Sequence, residues 1–208
     1  KTKWTVFIMP VCVNAEPLGR RWFGVLLYMM ALGLCGVVPA VTYASGFKVS
    51  SVQARLTGPA LQLSGNVELG LTPEVEEAIG TGIPIKLVFD VRLYRARPFL
   101  WDTKMASWKF SRELRYHALA GQYLINASAD APVARESFAT LGDALAQLGT
   151  LDGLTFVATT SLPRDADYEV RVRASLDVEA LPALLRPVAY TSRAWDLNSG
   201  WTTWSVQR

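Results

Sequence analysis

The sequence predicts a mainly β protein. A single antiparallel β-sandwich-like domain with two short capping helices occupies residues 45–208, preceded by an N-terminal signal or anchor helix within residues 1–44. Three observations carry this reading. From residue 47 onward apolar side chains recur at every second position, the mark of strands with one buried face. Only two short helical patterns interrupt the strands, without the regular alternation that a parallel, doubly wound sheet requires. Ahead of them lies an uncharged run of seventeen residues, 22–38.

That run follows Arg20 and Arg21 and is followed by Pro39, Ala40, Thr42, Tyr43 and Ala44. A basic start, an apolar middle and a small-residue end are the parts of a secretory signal peptide, cut here after Ala44. Seventeen residues are also the lower limit for spanning a hydrocarbon core of roughly 30 Å. An uncleaved anchor with Arg20 and Arg21 on the cytoplasmic side is therefore the second reading. A buried core helix is the third, weakened by Gly24, Gly33, Gly36 and Pro39. Lipidation of Cys35 is disfavoured by the bulky Leu34 before it.

The strands come in order. Residues 47–56 alternate with a parity shift between Val49 and Val52, which predicts a bulge. Leu61, Leu63, Val67, Leu69 and Leu71 form the next apolar face, and Ile83, Ile85, Leu87, Phe89, Val91 and Leu93 another. A long strand covers 105–119 with Trp108, Phe110, Leu114 and Tyr116 on one side, and shorter ones cover 122–129 and 154–162. "PRDAD" at 163–167 reads as a hairpin connection into the alternation Tyr168, Val170, Val172, Ala174, Leu176 and Val178. Between them, "LTPEVEEAIGTG" predicts a helix capped by Thr72, opened by Pro73 and ended by Gly80. "TLGDALAQLG" predicts a second, with Leu141, Ala144, Leu145 and Leu148 on one face and a stop near Gly149.

Composition excludes several functions. Residues 1–44 carry four basic side chains and one acid, which is the whole formal charge of +3, so residues 45–208 hold 17 of each sign. A neutral domain lacks the basic excess on which nucleic-acid binding depends, and no nucleic-acid partner is expected. Cys12 and Cys35 both precede the domain, so disulfides and thiolate metal sites are excluded from it. With His117 the only histidine, a multi-histidine metal site is excluded too. No cofactor is expected.

Each candidate for chemistry has a plainer explanation beside it. His117 has Glu113 on its own strand face but no GxSxG elbow to serve. Glu74, Glu76 and Glu77 already suit the positive end of a helix. Two aromatic–cationic stretches point to binding. In "VRLYRARPFLWD", Arg92, Arg95 and Arg97 approach Trp101 where a strand ends, a composition suited to carboxylate or phosphate recognition. In "WDLNSGWTTWSVQR", Trp195, Trp201 and Trp204 would either stack on a partner or plug the sandwich. Strand parity turns Trp204 to the core and leaves Trp201 nearer the surface.

"LTPEVEEAIGTGIPIKLVFDVRLYRARPFLWD", "RELRYHALAGQYLI", "SFATLGDALAQL", "YEVRVRASLDVEALPALLRP" and "WDLNSGW" follow one another in this order. Together they resemble the domain of unknown function 4390 family, exported proteins of proteobacteria, from Phe47 to Val206. The resemblance implies an envelope location, in the periplasm or on the periplasmic face of the inner membrane. It also suggests a sensor histidine kinase as partner, because genes of the family often lie beside one. It brings no catalytic residues. The function expected is a non-enzymatic envelope module that binds a protein partner or a cell-wall component, touching membrane only through an uncleaved N-terminal segment. The alternative is a hydrolase or transferase acting on an envelope polymer. If residues 1–44 direct export, a reporter fused after Gly46 is active only outside the cytoplasm, and charge reversal at Arg20 and Arg21 lowers that activity. Equal activity with residues 1–44 deleted would end the export reading.

Overall fold

The computed structural model describes residues 46–97, 101–127, 136–159, 162–163 and 165–207. The signal or anchor helix expected in residues 1–44 lies outside the described residues. The described residues form nine strands: β1 (Gly46–Thr57), β2 (Ala60–Gly70), β3 (Ile85–Arg95), β4 (Thr103–His117), β5 (Gln122–Ala127), β6 (Glu136–Phe138), β7 (Leu154–Val157), β8 (Tyr168–Leu176) and β9 (Thr202–Gln207); all but the three-residue β6 fall on the expected period-two stretches. Their inward residues follow the expected parity. In β8, Tyr168, Val170, Val172, Ala174 and Leu176 are buried while the residues between them are half-buried. The parity shift in β1 is a bulge: Val49 faces Val67 but Ser51 faces Asn66, leaving Ser50 as the extra residue.

The strands pair into one sheet, in the order β6-β5-β4-β3-β8-β9-β1-β2-β7. Every neighbouring pair is antiparallel except β1 with β9, a parallel contact of two residue pairs, Ala54 with Val206 and Arg55 with Gln207. The mainly β expectation holds, and the sheet count is one. Strand pairing also corrects the hairpin expected at 163–167. β7 pairs with β2, and β8 with β3 and β9, so that segment crosses between strands that are not neighbours.

The edge strand β7 meets β4, distant from it in the sheet order, through side chains. Phe156 of β7 stacks on Trp108 of β4 at 5.3 Å and meets Phe110 at 5.9 Å. The Trp108 indole Nε1 donates to the Val157 carbonyl at 3.2 Å. Leu61, Leu63, Leu87, Phe89, Val172 and Leu114 are among the buried side chains of the core.

Among the described residues three α-helices accompany the strands: α1 (Pro73–Gly80), α2 (Leu141–Gly149) and α3 (Arg186–Thr191). The first two are the expected capping helices, and α1 has the expected bounds, N-cap Thr72 and last residue Gly80. Thr72 makes no side-chain cap bond; its Oγ1 donates to the Ala194 carbonyl at 2.9 Å. Gly82 provides the left-handed turn after the helix, at φ +89°. Gly82 N donates to Ile79 O and Ile83 N to Ala78 O, the paired bonds that close a helix around a left-handed residue. Helix α3 was not expected, because six residues with Pro187 at the second position give no legible period.

The sheet has two distinct ends. Gly46 of β1 faces Gly70 of β2, β3 begins opposite Leu114 of β4, and Leu176 ends β8 opposite Leu87. Residues 177–197 cover this Gly46 end, tied to α1 by the Thr72–Ala194 bond. The β1–β2 hairpin, turning at Gly58, marks the other. Trp204 packs half-buried against the core and Trp201 is exposed, as their parity predicts.

Gly149, last residue of α2, presses its backbone against β2: a side-chain Cβ there would collide with the Val67 carbonyl oxygen. Gly149→Ala is therefore expected to destabilise the fold by about 1–3 kcal/mol, the usual cost of forcing extra atoms into packed structure. Denaturant unfolding followed by tryptophan fluorescence measures it. A midpoint equal to the parent's would show that β2 yields without cost.

Candidate functional site

Arg112 of β4 is the one charged side chain that is buried among the described residues, 3% exposed. It shares the inward parity of Phe110 and Leu114. Its Nη1 lies 2.8 Å from the Leu148 carbonyl, 2.6 Å from that of Thr150 and 3.3 Å from that of Gln147. These acceptors belong to the last turn of α2 and the residue after it, where carbonyls lack intrahelical partners and the helix dipole favours a cation. The rings of Phe89 and Phe110 lie near the guanidinium, at 5.8 and 5.9 Å. Burial pushes the guanidinium below its ordinary pKa, and Glu136 partly offsets this. Arg112 is therefore a structural clamp.

The surface site is built on the outer face of β3, β8 and β9. Outward positions of β3 supply Asp90, Arg92 and Tyr94, and those of β8 supply Glu169, Arg171 and Arg173. Register sets Asp90 opposite Arg173 and Arg92 opposite Arg171. Asp90 and Arg173 form an ion pair at 2.8 Å. Arg171 takes Asp102 at 2.5 Å and Glu169 at 3.7 Å, and its Cζ sits 4.2 Å from the centre of the Tyr94 ring. Trp201, just before β9, receives two guanidinium groups on its indole: Arg92 at 4.1 Å and Arg173 at 4.7 Å.

Charge accounting singles out Arg92. Arg171 and Arg173 are neutralised by acids, whereas Arg92 has no carboxylate partner among the described residues. Its contact is the face of Trp201, which is 37% exposed. A planar cation held flat on an aromatic ring keeps its edge donors free for a carboxylate or phosphate.

Of the residues nominated from sequence, the structure brings together Arg92 and Trp201, which are far apart in the chain. Arg95 is half-buried near the end of β3, Arg97 is exposed beyond it, and Trp101 is 91% exposed in the connection to β4. Trp195 sits in a 3₁₀ turn with its side chain buried in the core and is not at this face. Sequence reasoning missed Arg171, Arg173 and Asp102. The available signal was the matched charge alternation of β3 and β8, unusable until the two strands are known to pair. His117 is spent on a turn, its Nδ1 accepting from the Ala120 amide at 3.2 Å, while Glu113 pairs with Arg115 at 3.5 Å. Among the described residues no three His, Cys, Asp or Glu side chains gather as a metal site.

Fold and face together define a class: a mainly β domain with a cation–aromatic surface laid across three strands. A model of the family described as domain of unknown function (DUF4390) matches residues 44–205. The chain belongs to this family. No curated protein and no solved structure matches it.

Replacing Arg112 tests the clamp. Arg112→Met is expected to cost about 3–5 kcal/mol, since each buried acceptor left without a donor costs roughly 1–3 kcal/mol. Chemical denaturation measures the loss. Stability within about 0.5 kcal/mol of the parent, the range of an inert surface change, would refute the clamp.

Proposed function

We propose that the protein is a non-enzymatic interaction module of the cell envelope that binds an anionic partner on the β3–β8–β9 face. The observation that carries this is Arg92, an uncompensated cation stacked on the exposed Trp201. The scaffold behind it is sandwich-like, with β7 turned onto β4. Two partner classes suit the face. An acidic protein segment would engage Arg92, and the family resemblance makes the periplasmic part of a sensor histidine kinase the concrete candidate. A cell-wall component would stack its sugar rings on Trp201 and present its carboxylates to Arg92. The run at 22–38 supports export, ending either in a periplasmic protein cut after Ala44 or in one held on the periplasmic face of the inner membrane. The hydrolase or transferase alternative has no observation in its favour among the described residues.

Arg92→Ala and Trp201→Ala separate binding from folding. Arg92 is half-buried and Trp201 is 37% exposed, so each change is expected to cost about 1–2 kcal/mol, well short of the roughly 3–5 kcal/mol of truncating a buried aromatic. Both are expected to reduce capture of the partner from an envelope fraction severalfold. Unchanged capture by the folded double variant would sink the assignment of this face.

A further inference from the structure

Uncompensated charge on the outer face reaches beyond Arg92 onto β4. Register sets Lys109 opposite Asp90, Ser107 opposite Arg92 and Lys104 opposite Tyr94, and all three β4 side chains are exposed. The acids of these rows are engaged elsewhere: Asp90 by Arg173, Asp102 and Glu169 by Arg171. Lys104 and Lys109, like Arg92, have no carboxylate partner among the described residues. The rows therefore hold Arg92, Lys104, Lys109, Arg171 and Arg173 against Asp90, Asp102 and Glu169, a cationic excess of two. Further along, Lys86 pairs with Asp177 and Arg115 with Glu113, which leaves no excess there. Asp165, Asp167 and Asp196 lie outside these rows, as do Arg95, Arg97 and Arg193.

Lys104 and Lys109 are five positions apart, about 16 Å along an extended strand, and Arg92 lies opposite Ser107 between them. A lone carboxylate or phosphate would have to draw both lysines flat along the strand, whereas anions spaced on a chain meet each where it stands. The aromatic side chains favour a polypeptide over a sugar polymer. A sugar stacks on an indole face left open, but the Trp201 ring already carries Arg92 at 4.1 Å and Arg173 at 4.7 Å, and the residue is 37% exposed. The Tyr94 ring carries Arg171 at 4.2 Å. Arginine, tyrosine and tryptophan are also the residues that anchor protein–protein interfaces.

We propose that the anionic partner of this face is a polypeptide segment carrying several carboxylates, and that it crosses from Trp201 over β3 onto β4. Arg92 takes one carboxylate, and Lys104 and Lys109 take others on either side of it. The inference rests on the reading of this face as anion-binding. It adds the partner's class and two lysines that the contact between Arg92 and Trp201 does not include. Attraction between exposed charges of this kind is screened by salt, so binding weakens as ionic strength rises.

The test uses the full chain in a nonionic detergent, with fluorescently labelled oligoglutamate as the polypeptide probe and oligogalacturonate of equal charge as the sugar probe. The expected result is that oligoglutamate binds more tightly. Lys104→Gln with Lys109→Gln is expected to weaken its binding about five- to tenfold, as the loss of two exposed ion pairs does. Lys48→Gln with Arg55→Gln, both exposed on β1, removes the same charge away from these rows and is expected to leave the affinity unchanged. Equal or tighter binding of oligogalacturonate overturns the polypeptide and leaves the anion-binding face in place. Equal losses in the two double variants, or no loss in the first, overturn the footprint on β4. If neither probe binds, this inference fails together with the anion-binding reading of the face.

Discussion

Arg112 leaves β4 and meets the carbonyls at the end of α2. That helix end is fastened to β2 by independent means: Leu151 N donates to the Gly65 carbonyl at 2.9 Å, and Gly149 lies against Val67. The link between β1 and β9 is only two residue pairs long, so backbone pairing between them is slight. The guanidinium and the helix end add a second tie between β4 and β2. A hydrocarbon side chain would fill the space but leave the carbonyls of a closed helix end without donors. Phe156 of β7 meets Trp108 and Phe110 of β4 beside it.

Register in turn shapes the outer face. Because β3 and β8 are long central strands held in register over nine residue pairs, their outward side chains form fixed rows. Arg92 and Arg173 reach Trp201 because β9 is paired to β8 from Thr202 onward. A site made of strand positions is rigid without any loop having to fold around it. That suits recognition of a shape and a charge more than a reaction in which groups must move.

Much of the fold was legible because period-two patterning records burial directly. The parity of β1, β3 and β8, the bulge at Ser50 and the opposed faces of Trp201 and Trp204 all follow from which positions are apolar. Partner choice was not legible. Nothing in β9 announces that it touches β1, and residues 163–167 resemble a hairpin while connecting distant strands. Arg112 escaped notice for a related reason. A charged residue in an apolar row reads as a break in the pattern, and its helix-end acceptors lie more than thirty residues away. The site was half legible: Arg92 and Trp201 were nominated separately, and the contact between them depends on β8 lying between β3 and β9.

Sheet order also decides where free backbone is found. The two outermost strands are the shortest, three residues in β6 and four in β7, while the longest are interior. An unpaired strand edge is a template on which a second polypeptide can add, and the hazard grows with its length and flatness. Here those borders are stubs, and one of them is further engaged by the Trp108 indole at Val157. Nor can the cysteine-free domain be cross-linked to its neighbours by oxidation. Short described borders of this kind give a second chain little to pair with, and a substitution that lengthened β6 or β7 is expected to invite aggregation.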